Sequence, residues 1–178
     1  MDIKPSIQLT DAVIFQKNAH REVLRDVNFY AYPGELVYLV GRVGSGKSSL
    51  LKTLYGDLPL QICRGMVACY LLHTLSRKKV PSLRRKLGIV FQDATLLNDS
   101  TVYQNLDFVL RATDWRDKEA IHHRIQAVMG MTDTTHKTHS YPHPLSGGKR
   151  QRASIEEALR NDPQIVMADE LTADPDPR

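Results

Sequence analysis

Cysteine is nearly absent from this sequence. Of 178 residues only Cys63 and Cys69 are cysteines, and they sit in an apolar stretch without metal-ligand spacing. That excludes a disulfide scaffold and a zinc module, and it fits free thiols in a reducing compartment. Long hydrophobic runs are also missing. No stretch reaches the roughly 18 apolar residues of a membrane span, and no secretory leader opens the chain, so a soluble protein is expected. Aromatic residues make up only 7% of the chain. The basic run Arg77, Lys78, Lys79, Arg84, Arg85 and Lys86 therefore lacks the interleaved rings on which bases stack, and no nucleic-acid partner is expected. The run reads as a solvated helix face or as a patch for an acidic or membrane partner. Neither sign of charge dominates: the net charge of +4 is too small to select a partner. No internal repeat or low-complexity tract is visible. The length suits one domain, which can bury about 70% of its unfolded surface without staples.

What the sequence does contain is a glycine-punctuated loop. Gly41, Arg42, Val43, Gly44, Ser45, Gly46, Lys47 and Ser48 satisfy G-x-x-x-x-G-K-[ST], a phosphate-binding P-loop. The apolar run 36–40 ahead of it reads as a buried strand, and residues 49–55 behind it, from Ser49, read as a helix. Glycines let the backbone approach phosphates closely. Loop N–H groups and the helix N-terminus then face negative charge. Lys47 is placed to reach the β- and γ-phosphates, and the Ser48 hydroxyl to ligate Mg²⁺.

The rest of the chain supplies a consistent setting. Residues 6–16 and 23–32 read as strands, the second ending at the turn signal Pro33-Gly34. Residues 65–72 read as one further strand. Residues 87–91 read as a short buried strand running into Gln92, a polar residue at the strand end where α/β sheets bind ligands. Helical spacing marks 101–112 and 117–131, with Thr101 or Ser100 and Asp117 as caps. His136, His139 and His143 lie in a polar stretch interrupted by Pro142 and Pro144, which prevents a helical ligand face. Leu145-Ser146-Gly147-Gly148-Lys149-Arg150-Gln151-Arg152 leads into a helix, and its glycines at a helix start suit a second anion site. Residues 165–168 form a buried strand ending in Asp169 and Glu170, an acidic pair suited to Mg²⁺ coordination and to polarising an attacking water.

Together these motifs resemble the ABC-type ATPases. In that resemblance Gly41–Ser48 is Walker A and Gln92 is the Q-loop residue. Leu145–Arg152 is the signature, and 165–169 followed by Glu170 is Walker B. Phe15 falls where the family places an aromatic that stacks on adenine. The resemblance implies an α/β P-loop core, an antiparallel N-terminal β region, and a helical subdomain at about 96–160, within a single nucleotide-binding domain over 1–178. It implies ATP and Mg²⁺ bound by Phe15, Gly41–Ser49, Gln92 and Asp169, with Lys47, Gln92 and Glu170 serving hydrolysis. It further implies a homodimer in which Ser146, Gly147 and Gly148 of one copy face the P-loop of the other.

Residues 83–93 and 101–106 are similar to the cell-division branch of the family. That similarity implies a peripheral ATPase on the cytoplasmic face of the plasma membrane, bound to an FtsX-like permease. ATPases of lipoprotein release and macrolide export share nearly the same motifs. The sequence departs from the family at Leu171 and Pro175, which alters the D-loop. It also has Glu156-Glu157 where the family prefers Ala-Arg. The chain stops at Arg178, before the strand bearing the family's switch histidine. The expectation is therefore a C-terminally incomplete domain, and the alternative is a shortened nucleotide-binding module with little turnover.

Overall fold

The structure, a computed structural model, describes residues 3–16, 21–60, 62–91, 96–142 and 154–169. The chain forms two compact units, 1–87 and 88–178.

The first unit is built on an antiparallel sheet. Strands β1 (Ile7–Phe15), β2 (Glu22–Ala31), β3 (Ile62–Val67) and β4 (Tyr70–Leu71) lie in the order β2-β1-β3-β4. Buried side chains on β1 change phase midway, from Ile7 and Leu9 to Ala12 and Ile14. The cause is a bulge: Asp11 has φ 51°, and the pairing with β2 slips between Leu9 and Ala12. One extra residue flips every later side chain to the opposite face, so both apolar pairs reach the same core. Asn28 holds the bulge by accepting from the Asp11 backbone N–H at 3.1 Å and donating to its carboxylate at 3.3 Å.

Two expectations are corrected in this unit. Residues 65–72 form a hairpin rather than one strand, because Ala68 (φ 46°) and Cys69 (φ 68°) make a two-residue reversal between β3 and β4. Such turns usually announce themselves by Asn or Gly, and Ala-Cys carries no such signal. The run 36–40 is not a strand, and Leu36, Tyr38 and Val40 are exposed. An apolar run becomes a buried strand only where a neighbour completes its ladder. Among the described residues no strand pairs with this one. The helix that follows the loop, α1 (Lys47–Leu54), forms as expected and buries Leu50, Thr53 and Leu54. The basic run contributes the short helix α2 (Val80–Arg84), with Leu83 buried beneath it.

The second unit opens on β5 (Leu87–Val90), which pairs with β6 (Ile165–Ala168). Between them lie α3 (Val102–Ala112) and α4 (Lys118–Met131). Thr101 and Gln104 form a reciprocal capping box at the start of α3. Asp117 caps α4 through the N–H groups of Glu119 and Ala120. These are the caps the sequence offers, each typically worth about 1 kcal/mol. Val102, Leu106 and Leu110 pack against Ile121, Ile125 and Met129 in a buried seam, the i, i+4 spacing of two facing helices. Asn105, also buried, accepts from Leu97 N at 2.7 Å and donates to the carbonyls of Leu97, Ser100 and Thr101. It thereby fixes the turn ahead of α3. A further helix, α5, described over residues 154–159, precedes β6. It crosses β5 so closely that a Cβ on Gly88 would stand 2.6 Å from the Ala158 carbonyl oxygen.

On α5, Glu157 pairs with Arg160 at 3.4 Å. Burial raises the Glu157 carboxyl above the ordinary range and lowers the Arg160 guanidinium, and their mutual attraction only partly opposes this. For an acid raised in the folded state, stability is fully present below the unfolded value and declines as pH rises through the folded one. Glu157→Gln should therefore melt a few degrees above the parent at pH 7, a gain under about 1 kcal/mol given the partial exposure. The gap should close toward pH 4. A parent that is the more stable protein at pH 7 would show that the Arg160 pairing outweighs burial.

Candidate functional site

The site is assembled around the entry to α1. Gly44 (φ 79°) and Gly46 (φ 95°) both adopt left-handed backbone conformations flanking Ser45, which only glycine does at little cost. Ser45 N donates to the Arg42 carbonyl at 3.1 Å and closes the turn. Gly46 is the N-cap of α1. No side chain caps the helix there, and its first turn holds no acidic residue. The positive end of the helix dipole is thus left for an incoming negative charge.

Lys47 curls back over this loop. Its Nζ donates to the carbonyls of Gly41 at 2.8 Å and Arg42 at 3.0 Å. The ammonium is held where an anion cradled by the loop would meet it. Ser48 and Ser49 stand in the first turn of the helix. Val43 is fully solvent-exposed at the loop tip.

The opposite end of α1 is fixed as firmly. Gly56 (φ 74°) follows the C-cap Tyr55. The N–H of Gly56 reaches the Thr53 carbonyl at 3.1 Å and that of Asp57 the Lys52 carbonyl at 2.8 Å, the paired bonds of a Schellman turn. Arg84 then adds a cation at the helix's negative end. Its Nε donates to the Tyr55 carbonyl at 3.1 Å, its guanidinium lies 5.5 Å from the Tyr55 ring centre, and Asp57 stands 3.8 Å away. Sequence reasoning missed this role by grouping Arg84 with its basic neighbours. Arg77, Lys78 and Lys79 are exposed, as that grouping expects.

Phe15 ends β1, half-buried opposite Glu22, one residue from the Ile14–Leu24 pair. Leu24 and Val23 are the side chains closest to Gly46, so the sheet register brings this end of β1 toward the loop. The cavity that Phe15 itself lines, about 610 Å³, is walled by Thr53, Gly56, Leu58, Leu60 and Leu72, at the far end of α1. In the second unit Asp169 follows β6, its N–H bonded to the Val90 carbonyl at 3.3 Å. Gln92, Ser146, Gly147, Gly148 and Glu170 lie outside the described residues, as do His143 and the departures at Leu171 and Pro175.

Gly46 combines a crowded setting with a left-handed backbone. A Cβ there would lie 2.9 Å from Leu24 Cγ and 3.0 Å from Val23 Cγ1, on a backbone that L residues avoid. Gly46→Ala is expected to cost about 1–3 kcal/mol and to weaken binding of a nucleoside triphosphate at the loop. Thermal unfolding and titration calorimetry measure the two effects, and parental values in both would refute this account of the loop.

Comparison with known proteins agrees with this geometry. The family model for ABC transporters matches residues 24–173. The cell division ATP-binding protein FtsE of Streptococcus pneumoniae is 36% identical over 171 residues, covering 96% of this chain and 74% of that protein. The methionine import ATP-binding protein MetN of Lactobacillus delbrueckii subsp. bulgaricus is 34% identical, covering 92% of this chain and 48% of that one. Among solved structures, the ATP-binding cassette MJ0796, a dimer in a post-hydrolysis state bound to ADP and Pi, superposes with a TM-score of 0.80 at 26% identity. It covers 94% of this chain and 75% of its own. With the P-loop in place, these matches show that the chain belongs to the ABC transporter family, as an ATPase subunit with the α/β P-loop fold.

Proposed function

We propose that this ATPase serves a membrane complex of cell-division type, similar to FtsE and coupled to an FtsX-like permease at the cytoplasmic face of the membrane. The observation that carries the catalytic reading is the loop itself. Left-handed Gly44 and Gly46, an uncapped helix start and a back-folded Lys47 together make a cradle for phosphates. On this reading the backbone of Gly41–Ser49 holds the phosphate chain of ATP, and Lys47 turns from its carbonyls to the β- and γ-phosphates. Phe15 is assigned to adenine stacking by the family resemblance alone, since the cavity it lines lies at the far end of α1.

The hard oxygen donors Ser48 and Asp169, with Gln92, suit Mg²⁺, which when bound neutralises phosphate charge. Glu170 orients and polarises the water for in-line attack on the γ-phosphorus. Two copies would enclose two nucleotides, each P-loop facing Ser146, Gly147 and Gly148 of the other copy. The similarity to MetN keeps an importer-type partner as a second reading, with the same chemistry at the site.

Two substitutions separate binding from turnover. Lys47→Ala should lower Mg-ATP affinity at least about tenfold, because a charge-assisted contact is lost. Glu170→Gln should keep parental affinity while slowing phosphate release by about 10²–10⁴. Parental affinity in the first variant, or parental turnover in the second, would contradict the assignment. A parent that binds Mg-ATP without hydrolysing it would favour a nucleotide-binding module with little turnover.

The partner reading rests on the exposed cations Arg77, Lys78 and Lys79, since Arg84 is engaged in closing α1. Reversing those three to Glu should reduce co-purification with an FtsX-like protein while leaving ATP affinity within a few-fold, as charges at an interface rim chiefly tune association. Undiminished co-purification would assign the run to plain solvation.

A further inference from the structure

The cavity of about 610 Å³ at the far end of α1 shares no residue with the phosphate loop. Thr53, Leu58, Leu60 and Leu72 form the buried part of its wall, each at most 7% exposed. Leu75 and Val80 line it half-buried, and His73 and Arg77 line it from exposed positions. The hollow is apolar inside and has a permanent cation at its edge. Apolar walls with a few placed polar groups, in a volume of about 300–1,000 Å³, are what small-ligand sites have. Asp57, also on the lining, is met by Arg84 at 3.8 Å. Arg77 has no ion-pair partner among the described residues.

The chain around this cavity is charged in one direction only. From Leu58 to Gln92 there are seven Lys or Arg residues and no Asp or Glu. The whole chain carries only a net +4, so the rest is net acidic and the positive charge is concentrated here. Arg77, Lys78, Lys79, Arg85 and Lys86 are all exposed. This is more cation than one small anion neutralises. An anionic bilayer surface presents many charges and attracts each Lys or Arg. A protein helix suits the hollow less well. With its side chains it is about 10 Å across, so two turns would overfill the space.

We propose that this cavity receives an acyl chain of an anionic membrane phospholipid, with the headgroup at Arg77 and the basic stretch 77–86 against neighbouring headgroups. The inference rests on the membrane placement in the reading above, but it needs neither nucleotide nor permease. Leu58, Leu60, Leu72, Leu75 and Val80 supply the apolar contact, and the cations supply the attraction. A single acyl chain holds a protein only marginally on a bilayer, and a chain joined to a basic patch holds it stably.

The test is flotation of the full chain, without any partner protein, on vesicles of phosphatidylcholine alone or with about 30% phosphatidylglycerol. The parent should float with the anionic vesicles and not with the neutral ones. Arg77→Glu should weaken binding at least about fivefold, roughly what each cation near an anionic surface contributes. Leu75→Trp keeps every charge but fills part of the cavity, and should weaken binding at least about threefold. Lys118→Glu makes the same charge change at an exposed position of the second unit and should stay within about twofold of the parent. Thermal midpoints check that each variant is folded, and if Leu75→Trp is not, Val80→Phe on the same lining takes its place. A parent that ignores the anionic vesicles, or binds both kinds alike, would overturn the proposal. So would parental binding by Arg77→Glu or by the cavity-filling variant, or a loss in Lys118→Glu equal to that in Arg77→Glu. A parent that misses the vesicles yet co-purifies with an FtsX-like protein defeats this inference and leaves the partner reading standing.

Discussion

The first unit depends on one constraint, that the eight-residue helix α1 must have both ends fixed from outside. A helix of two turns is not stable alone in water, and its end groups need partners. The C-terminal carbonyls are met by the turn at Gly56 and by Arg84. At the other end, the packing of Val23 and Leu24 leaves room only for glycine at position 46. Glycine there takes, at little cost, the left-handed turn that opens the N-terminus of the helix. That end carries no side-chain cap, and Lys47 supplies its charge to the loop carbonyls. A helix built for stability alone would place Ser, Thr or Asp there. The missing cap and the left-handed loop are the local cost that the proposed phosphate site accounts for.

The antiparallel sheet makes that arrangement possible. The bulge at Asp11 rephases β1 so that Ile7, Leu9, Ala12 and Ile14 all turn inward. Without it, the second half of the strand would present its apolar side chains to water. In the second unit the C-terminal end of α5 is held by Arg124, which donates to the Leu159 and Arg160 carbonyls, and Glu156 accepts from the hydroxyls of Thr132 and Thr134. Burial raises the Glu157 carboxyl on the same helix. The helix therefore departs from a purely apolar packing solution at two successive residues.

Much of this was legible in the sequence, because several elements carry local signals that tertiary context does not override. The caps Thr101 and Asp117, the i, i+4 pattern of α3 and α4, and the P-loop spacing each state their structure within a few residues. Three features were not legible. The Ala68-Cys69 reversal has no turn residue to mark it. The run 36–40 has the composition of a buried strand, but composition cannot say whether a neighbour completes the ladder. Arg84 looks like any other cation in a basic run until the fold brings Tyr55 and Asp57 beside it, 29 and 27 positions earlier in the chain. In the site, the loop and its lysine could be read from spacing alone, since they are contiguous. The register that turns β1 toward the loop, and the hydrogen bonds from Arg124 and Thr132 to α5 and the residue after it, join residues far apart in sequence.

The central claim is that Gly41–Ser49 is a preformed phosphate cradle whose order comes from the elements fixing α1. Amide hydrogen exchange, followed with and without Mg-ATP, tests this directly. The account predicts slower exchange on nucleotide addition at residues 41–49, with little change across α4 (Lys118–Met131). Unchanged exchange at 41–49 under saturating Mg-ATP would contradict it.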